Sequence, residues 1–386
     1  MNIAIKQLVQ AIHDSPTRVM LVAAGAGTQA LSDLLGVAGA SRTLLEALIP
    51  YSEAAFADFL GQIPPQFVAS ETARLLAGRA FTRARWLDVE SDFAPVVGLA
   101  CTATIVTDRP KKGDHRAYIA VWQAERLLWH EIYLDKGARD RAGEENLVSR
   151  VMLNSLAQAA GIDIRLPLPL RAQDQVVVET RDFAEKAAQL ERREIDYFGV
   201  EDNGRIQTAN LRPQAVLSGA FNPLHDGHLR MAQAAADLMG WPVTFELAAV
   251  NVDKPPLGSA TILDRVAQFA GRWPIIASNA PTFVEKARLF PGITFVVGHD
   301  TAERILQPRY YQNSRQKMLD ALAEIRRQDG RFLVAGRVDH KGAFRNLAHL
   351  NIPTAVSDLF DPIPDTKFRE DISSSQLRRA GQRGSR

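Results

Sequence analysis

Apolar residues in the first half of the chain recur with two different spacings. Helical spacing over residues 3–12 predicts an amphipathic helix, and the β-branched, apolar run 18–22 predicts a strand. Further strands are predicted over 96–100, 117–122 and 127–134, and a helix over 144–160. The first half is therefore predicted to be an α/β layer fold.

In the second half, short apolar runs alternate with helical patterns. The run 215–217 meets a loop, and a helical pattern then continues to Gly240, a residue that tolerates the positive φ of a helix C-terminus. Four more buried strands are predicted over 243–250, 274–278, 293–297 and 331–335. This alternation is typical of a Rossmann-like parallel sheet with helices on both faces.

The pattern of predicted strands and helices is interrupted between the two halves. Pro167 and Pro169 cannot continue a helix, and a charged segment over 182–196 follows them. A chain of 386 residues exceeds one ordinary core, so two domains are expected. We predict an N-terminal domain over 1–162, a linker over 163–211 and a C-terminal domain over 212–386.

Composition narrows the class of protein. Hydrophobic residues at 46% and charged residues at 23% are typical of a globular protein. The formal net charge of +2 is too small to favour nucleic acid as a partner. A single cysteine, Cys101, excludes an intrachain disulfide framework and a thiolate-rich zinc site. No signal peptide or membrane span is predicted, so we expect a cytosolic protein, and whether it forms a homo-oligomer stays open.

The stretch 214–240 carries the candidate chemistry. Its loop holds His225 and His228 at the predicted start of a helix, where amide N–H groups without intrahelical partners favour an anion such as phosphate. Histidines at a helix start can also be simple capping or surface groups. Six positions in a strand–loop–helix context carry a family resemblance that favours nucleotide chemistry over that alternative. They are Gly219, Phe221, Pro223, His225, Gly227 and His228.

These six residues resemble the complete signature of the nucleotidylyltransferase superfamily, Gly-x-Phe-x-Pro-x-His-x-Gly-His. Residues 372–378 match its second signature, Ile-Ser-Ser-Ser/Thr-x-x-Arg, in which hydroxyls, amides and Arg378 would bind phosphate. A plain N-cap followed by an exposed arginine is the alternative. Asp300 matches the family's Gly-x-Asp element, near the ribose or the acceptor, although an N-cap aspartate has the same appearance.

The resemblance implies a nucleotidyltransferase that moves a nucleoside monophosphate from a nucleoside triphosphate to a phosphorylated acceptor and releases pyrophosphate. The implied catalytic residues are His225, His228, Arg378 and Lys254, of which Lys254 could equally be an exposed loop charge. The implied nucleotide-binding residues are Ser218, Gly219, Ala220, Phe221, Gly227, Ser373, Ser374 and Ser375, and Asn222 and Asp300 would contact the acceptor or the ribose. Mg²⁺ is the implied cofactor, bound through substrate phosphates rather than by protein ligands.

Two classes of substrate remain open. The spacing of the signatures resembles that of nicotinamide- and nicotinate-mononucleotide adenylyltransferases, which favours ATP and a pyridine mononucleotide. Residues 251–256 read Asn-Val-Asp-Lys-Pro-Pro, which is closer to cytidylyltransferase-like proteins and would imply CTP with a different phosphorylated acceptor. A catalytically inactive nucleotide-binding sensor or scaffold is a further alternative.

Residues 38–41, 49–52 and 96–100 resemble the nicotinamide-nucleotide amidase domain, which is the C-terminal domain of competence-induced protein A. That family carries a nucleophilic serine after its first strand. This chain instead reads Ala-Ala-Gly-Ala-Gly-Thr over 23–28, and alanine has no hydroxyl to attack an amide. We therefore expect a degenerate amidase-like domain that serves packing, oligomerisation or ligand sensing.

The glycines after the first strand also allow a second interpretation. Gly25, Gly27 and Ala30 fit a dinucleotide-binding pattern, yet no clear acidic residue ends a second strand at the expected distance. We favour the alternative, in which small residues allow a strand and a helix to pack closely.

Arg378 provides a test of the second signature. Lysine at this position would keep the charge but lose the planar fork that grips two phosphate oxygens, so Arg378→Lys should weaken triphosphate binding. Arg378→Ala should weaken it further, with little change in melting temperature. Calorimetric titration with ATP and with CTP measures both effects, and wild-type affinity in both variants would contradict the assignment.

Overall fold

The structure is a computed structural model that describes residues 2–88, 95–109, 112–252, 255–338 and 342–369. The chain forms two compact units. Unit 1 comprises Met1–Glu185, Glu201–Arg205 and Phe269–Trp273, and unit 2 comprises Lys186–Val200, Ile206–Gln268 and Pro274–Arg386. Each unit has its own sheet, so the predicted α/β class with two sheet-containing parts is confirmed.

Unit 1 contains a mixed sheet. Its strands are β1 (Arg18–Ala24), β2 (Leu44–Leu48), β3 (Val96–Thr104), β4 (His115–Trp122), β5 (Arg126–Leu134) and β6 (Gln175–Asp182). Their order is β2-β1-β3-β4-β5-β6. β1 pairs in parallel with β2 and β3, whereas each pair from β3 to β6 is antiparallel.

Helices cover this sheet and supply its core. They are α1 (Ile3–Asp14), α2 (Thr28–Leu35), α3 (Ala40–Thr43), α4 (Glu53–Leu60), α5 (Ser70–Leu87) and α6 (Arg141–Ala159). Leu8 and Ile12 of α1 share a fully buried cluster with Leu147 and Met152 of α6. Burial of each such side chain contributes about 1.5–3 kcal/mol, so the apolar face predicted for residues 3–12 attaches α1 to the unit.

Unit 2 contains a largely parallel sheet. Its strands are β7 (Tyr197–Val200), β8 (Ile206–Gln207), β9 (Ala215–Gly219), β10 (Thr244–Ala248), β11 (Ile275–Ser278), β12 (Thr294–Gly298), β13 (Arg331–Ala335), β14 (Arg337–Val338), β15 (Phe344–Arg345) and β16 (Phe360–Pro362). The main sheet has the order β16-β13-β12-β9-β10-β11-β7-β8, and β14 pairs with β15. The helices are α7 (Phe183–Glu191), whose first three residues belong to unit 1, α8 (Asp226–Met239), α9 (Ser259–Ala267), α10 (Phe283–Leu289), α11 (His299–Ile305) and α12 (Arg315–Arg327).

The five strands predicted for this half are present, and they run in parallel. β9 lies between β12 and β10, with Leu217 opposite Val296 on one side and Ser218 opposite Glu246 on the other. Because parallel strands end at the same edge of a sheet, the segments that follow β9, β10 and β12 meet there. This edge therefore brings together the residues of the first signature and Asp300.

The segment predicted as a linker, 163–211, contributes strands to both sheets. β6 pairs with β5, and β7 pairs with β11 in antiparallel register. β6 lies at the edge of its sheet, and most of its side chains are exposed, including Val177 and Val178. A strand exposed on both faces lacks the alternation of apolar and polar residues, which explains why the sequence pattern did not indicate it.

The longest helices in the described ranges are α5 and α6, with 18 and 19 residues. Both carry several charged side chains among their apolar ones. Within the described part of the chain, no helix is both long enough and hydrophobic enough to cross a bilayer.

Candidate functional site

The candidate site begins where β9 ends. The signature loop (residues 219–225) connects this strand to α8, which starts at Asp226 directly after His225 in extended conformation, with φ −146° and ψ 166°. At the far end, Gly240 adopts φ 80° and closes the helix. The strand–loop–helix order predicted from the sequence is confirmed, and both histidines lie at the N-terminal end of the helix.

Phe221 anchors the signature loop. Its side chain is 1% exposed, and its ring contacts Phe245 edge-on at 5.7 Å and His228 edge-on at 5.2 Å between centroids. A Cβ atom on Gly219 would lie 2.7 Å from the same ring, so any larger residue there would displace it. Phe221 adopts φ 43°, a conformation that aromatic residues rarely take. The first two positions of the signature are thus explained by packing.

Gln268, the residue after α9, holds both ends of the turn. Its Nε2 donates to the carbonyl of Phe221 at 2.9 Å, and its Oε1 accepts from the amide of Leu224 at 2.8 Å. The two hydrogen bonds of Gln268 pair a carbonyl and an amide of the loop that no β-sheet ladder pairs. They also support the unusual φ of Phe221. Sequence reasoning missed Gln268 because it lies 44 residues beyond Leu224 and no local motif marks it.

The side chains of His225 and His228 contact each other. Their rings stack with centroids 3.7 Å apart and planes 30° apart. The backbone N–H of His225 donates to Nδ1 of His228 at 3.2 Å, so the neutral imidazole of His228 carries its proton on Nε2. The loop therefore fixes both the position and the tautomer of this side chain.

Both imidazoles are held neutral. Burial, together with the neighbouring His225, lowers the pKa of His228 to about 3. Burial also lowers the pKa of His225, with Arg337 acting in the same direction and Asp226 against it. Since a neutral imidazole donates one hydrogen bond without carrying charge, the pair is suited to contact phosphate oxygens and leaves charge neutralisation to other groups.

Asp300 lies at the end of the neighbouring strand β12, in the first turn of α11. It is not the N-cap, since Gly298 holds that position. Its Oδ2 accepts from Nη1 of Arg337 at 2.6 Å, and the two side chains are 50% and 38% exposed. Arg337 follows β13 at the same sheet edge, which is the signal by which the sequence could have identified this cation.

The structure brings some of the predicted site residues together. The end of β9, the signature loop and the start of α8 hold Ser218, Gly219, Ala220, Phe221, Asn222, Gly227 and both histidines, and Asp300 lies in the first turn of α11 after the adjacent strand. The hydroxyl of Ser218 accepts a hydrogen bond from Lys286 Nζ at 3.2 Å, which ties this side chain to the protein interior. Lys254, Ser373, Ser374, Ser375 and Arg378 fall outside the described residues, so their roles remain predictions.

No protein cluster for a metal ion is found in the described ranges: no three His, Cys, Asp or Glu side chains converge there. Mg²⁺ commonly keeps few protein ligands and is bound through substrate phosphates. Magnesium bound through substrate phosphates therefore stays a prediction.

Of the three segments that carry the amidase resemblance, only 49–52 lines the cavity of about 270 Å³ in unit 1. Ala24, Gly25, Tyr51, Ser52, Thr102 and Ala103 are among its lining residues. Ser52 caps α4 by accepting from the amide of Ala55 at 3.2 Å, and Thr102 donates to the carbonyl of Phe67 at 2.8 Å. Both hydroxyls are engaged with the backbone rather than with a general base.

The dinucleotide-like glycines have a packing role, as the favoured alternative predicted. A Cβ atom on Gly25 would lie 1.9 Å from the carbonyl oxygen of Ala103. The carboxylate of Glu145 accepts from the amides of Gly27 and Gln29 at 3.0 and 2.9 Å, at the start of α2. An internal carboxylate thus fills the position that a phosphate takes in dinucleotide-binding folds.

Comparison with known proteins agrees with the nucleotidylyltransferase resemblance of the C-terminal half. The family model described as cytidylyltransferase-like matches residues 216–380. A probable nicotinate-nucleotide adenylyltransferase from Gloeobacter violaceus is 32% identical over 174 residues, which cover 42% of this chain and 81% of that protein.

Solved structures of competence-damage proteins are similar to the N-terminal half. The competence/damage inducible protein CihA from Agrobacterium tumefaciens covers 41% of this chain and 99% of its own, with 21% identity and a TM-score of 0.33. A CinA superfamily protein from Klebsiella pneumoniae covers 41% of this chain and 96% of its own, with 10% identity and a TM-score of 0.34.

We predict that the protein releases no ammonia from nicotinamide mononucleotide. The two aliphatic hydroxyls that line the cavity of unit 1, those of Ser52 and Thr102, each have a backbone partner. An enzyme-coupled ammonia assay on the full chain, with a serine-containing amidase as positive control, measures this. Ammonia release above the no-protein blank would show that the domain is not degenerate.

His228 should make the protein less stable in acid. Its folded-state pKa of about 3 lies below the ordinary 6.5, so between these values the unfolded chain binds more protons. Stability should therefore fall as the pH decreases from about 6.5 towards 3. His228→Asn removes this titration and should lose less melting temperature between about pH 7 and about pH 5 than the wild type does.

The exposed His349 gives the matched control, and His349→Asn is measured over the same pH range. An equal loss of melting temperature in His228→Asn and the wild type would contradict the low pKa of His228.

Proposed function

The chain belongs to the cytidylyltransferase-like family of nucleotidylyltransferases, and we propose that its C-terminal half transfers a nucleoside monophosphate from a nucleoside triphosphate to a phosphorylated acceptor. The observation that carries this proposal is the stacked, neutral pair His225 and His228 at the start of α8, in a turn that retains every fixed position of the signature. Amides of a first helical turn and imidazole N–H groups are donors suited to phosphate.

The reaction requires no covalent intermediate with the protein. An oxygen of the acceptor phosphate attacks the α-phosphorus, a new phosphoanhydride bond forms, and the bond to the β-phosphate oxygen breaks so that pyrophosphate leaves with the electron pair. In this proposal His228 donates from Nε2 to an oxygen of the α-phosphate, and His225 lies beside it. The signature loop orients the nucleotide, since amides at a helix start point towards the anion.

Cations are needed to neutralise the negative charge of the triphosphate. Arg378 and Lys254 are the cations proposed from the sequence, and Arg337 is a further cation at the carboxyl edge of the sheet. Mg²⁺, bound through the phosphates, would supply additional positive charge to the reacting oxygens. Neutral histidines alone cannot balance a triphosphate, so turnover should depend on these cations as well.

A pyridine mononucleotide is the proposed acceptor, with ATP as the nucleotide. The name of the Gloeobacter violaceus relative, a probable nicotinate-nucleotide adenylyltransferase, supports this choice. The segment 251–256 and the description of the matching family model favour the second candidate, which is cytidylyl transfer from CTP to another phosphorylated acceptor.

A matrix of substrates tests the proposal and separates the two candidates. The full chain is incubated with Mg²⁺, ATP or CTP and each of several acceptors, including nicotinate and nicotinamide mononucleotides, and pyrophosphate release is followed. Release that requires ATP and a pyridine mononucleotide supports the first candidate. Release only with CTP overturns it in favour of the second, and no release in any combination contradicts nucleotidyl transfer.

His228→Ala should reduce kcat by about 10²–10³, because it removes a donor that acts mainly on the transition state. The KM for the nucleotide should change little. Steady-state pyrophosphate release measures both values. His349→Ala, on the exposed surface of the same unit, serves as the matched control and should retain wild-type kcat; a wild-type kcat in His228→Ala would refute the role of His228.

A further inference from the structure

A buried cluster of charged and hydroxyl groups lies beneath the signature loop. Lys286 Nζ contacts Glu246 Oε2 at 2.6 Å and donates to Ser218 Oγ at 3.2 Å. Ser278 Oγ donates to the other carboxylate oxygen of Glu246 at 2.6 Å. The side chains of Lys286 and Glu246 are 5% and 1% exposed. We call these four residues the Lys286 cluster.

The cluster is an unusual choice for stability alone. Removing each ion from water costs several kcal/mol, and well-packed apolar residues of similar volume are often as stabilising as a buried ion pair. Every carboxylate oxygen of Glu246 has a partner here, so the pair is internally satisfied. Such a network favours one arrangement of the elements that it joins, which are β9, β10, β11 and α10.

Ser218 connects this network to the site. It lies opposite Glu246 in the parallel register of β9 and β10, and it is the residue before the signature loop. The next residue, Gly219, packs against the ring of Phe221, and that ring contacts His228. A continuous chain of contacts therefore runs from Lys286 through Ser218 and Phe221 to the imidazole.

We propose that Lys286, paired with Glu246, is a positioning residue that holds the signature loop in register for nucleotidyl transfer through its hydrogen bond to Ser218. The inference rests on the proposed function for its catalytic consequence. A positional error near 1 Å at reacting groups can cost about 10²-fold in rate, so support beneath the loop has a measurable effect.

The double variant Glu246→Leu with Lys286→Met tests this role without leaving a buried charge unpaired. Its melting temperature should lie within about 2 °C of the wild type or above it. Its kcat should nevertheless fall by about 10-fold to 10²-fold, with the KM for ATP within about twofold. A fall in kcat at unchanged KM is a result that a merely structural ion pair would not give.

The same helix offers a matched control. Arg288 of α10 pairs with Glu324 of α12 at 2.5 Å, and these side chains are 56% and 25% exposed. The double variant Arg288→Met with Glu324→Leu removes an ion pair from α10 that does not reach Ser218. Its kcat should remain at the wild-type value, and a fall equal to that of the first double variant would overturn the proposal.

Ser218→Ala removes only the hydroxyl that accepts the hydrogen bond from Lys286. This variant tests the proposal if the first double variant does not fold. Its kcat should fall by about tenfold, and Ser218→Thr, which keeps a hydroxyl, should recover most of the loss. Wild-type kcat in Ser218→Ala would overturn the proposal.

Hydrogen exchange of the peptide covering residues 219–228 is a readout that does not depend on the reaction. Exchange there should be faster in the Glu246→Leu, Lys286→Met protein and in Ser218→Ala, and unchanged in the Arg288→Met, Glu324→Leu control. If the wild type shows no turnover, the proposed function fails, and hydrogen exchange alone then tests the positioning role of Lys286. Wild-type protection of the loop in both cluster variants would overturn it.

Discussion

The buried ring of Phe221 is the contact that the rest of the candidate site depends on. It lies under the turn between β9 and α8, leaves no room for a side chain at Gly219 and contacts His228 at its edge. A φ of 43° at an aromatic residue costs about 1–3 kcal/mol, and burial of the ring together with the two hydrogen bonds of Gln268 offsets that cost. The glycine and phenylalanine of the signature therefore serve packing, which places the two histidines where chemistry can use them.

The two units each contain a strand that leads through a glycine-containing turn into a helix, and they use this arrangement differently. In unit 1 the carboxylate of Glu145 binds the amides at the start of α2, so the position for an anion is occupied by the protein itself. In unit 2 the start of α8 is flanked by the neutral rings of His225 and His228. The same order of strand, turn and helix thus supports internal packing in one unit and a candidate phosphate site in the other, because the neighbouring side chains differ.

Two ion pairs near the candidate site have different physical roles. Asp300 and Arg337 are 50% and 38% exposed, so water screens their attraction and the pair contributes about 0–1 kcal/mol. Glu246 and Lys286 are almost completely buried, where the desolvation cost is high and the geometry must be satisfied on every side. The exposed pair can exchange partners with a ligand at low cost, whereas the buried pair can act only by holding the elements around it.

The α/β class, the parallel strands of the second half and the turn that carries His225 and His228 could all be predicted from the sequence, because they depend on local spacing and on a short motif. The sequence did not indicate the edge strand β6, whose exposed valines lack alternation. Only the tertiary structure brought Gln268, Lys286 and Arg337 to the site. These residues lie tens of positions from the groups they contact, and the packing of helices and strands in unit 2 brings them together. No local sequence pattern predicts these contacts, because they result from strand order and register rather than from residues that are neighbours in the chain.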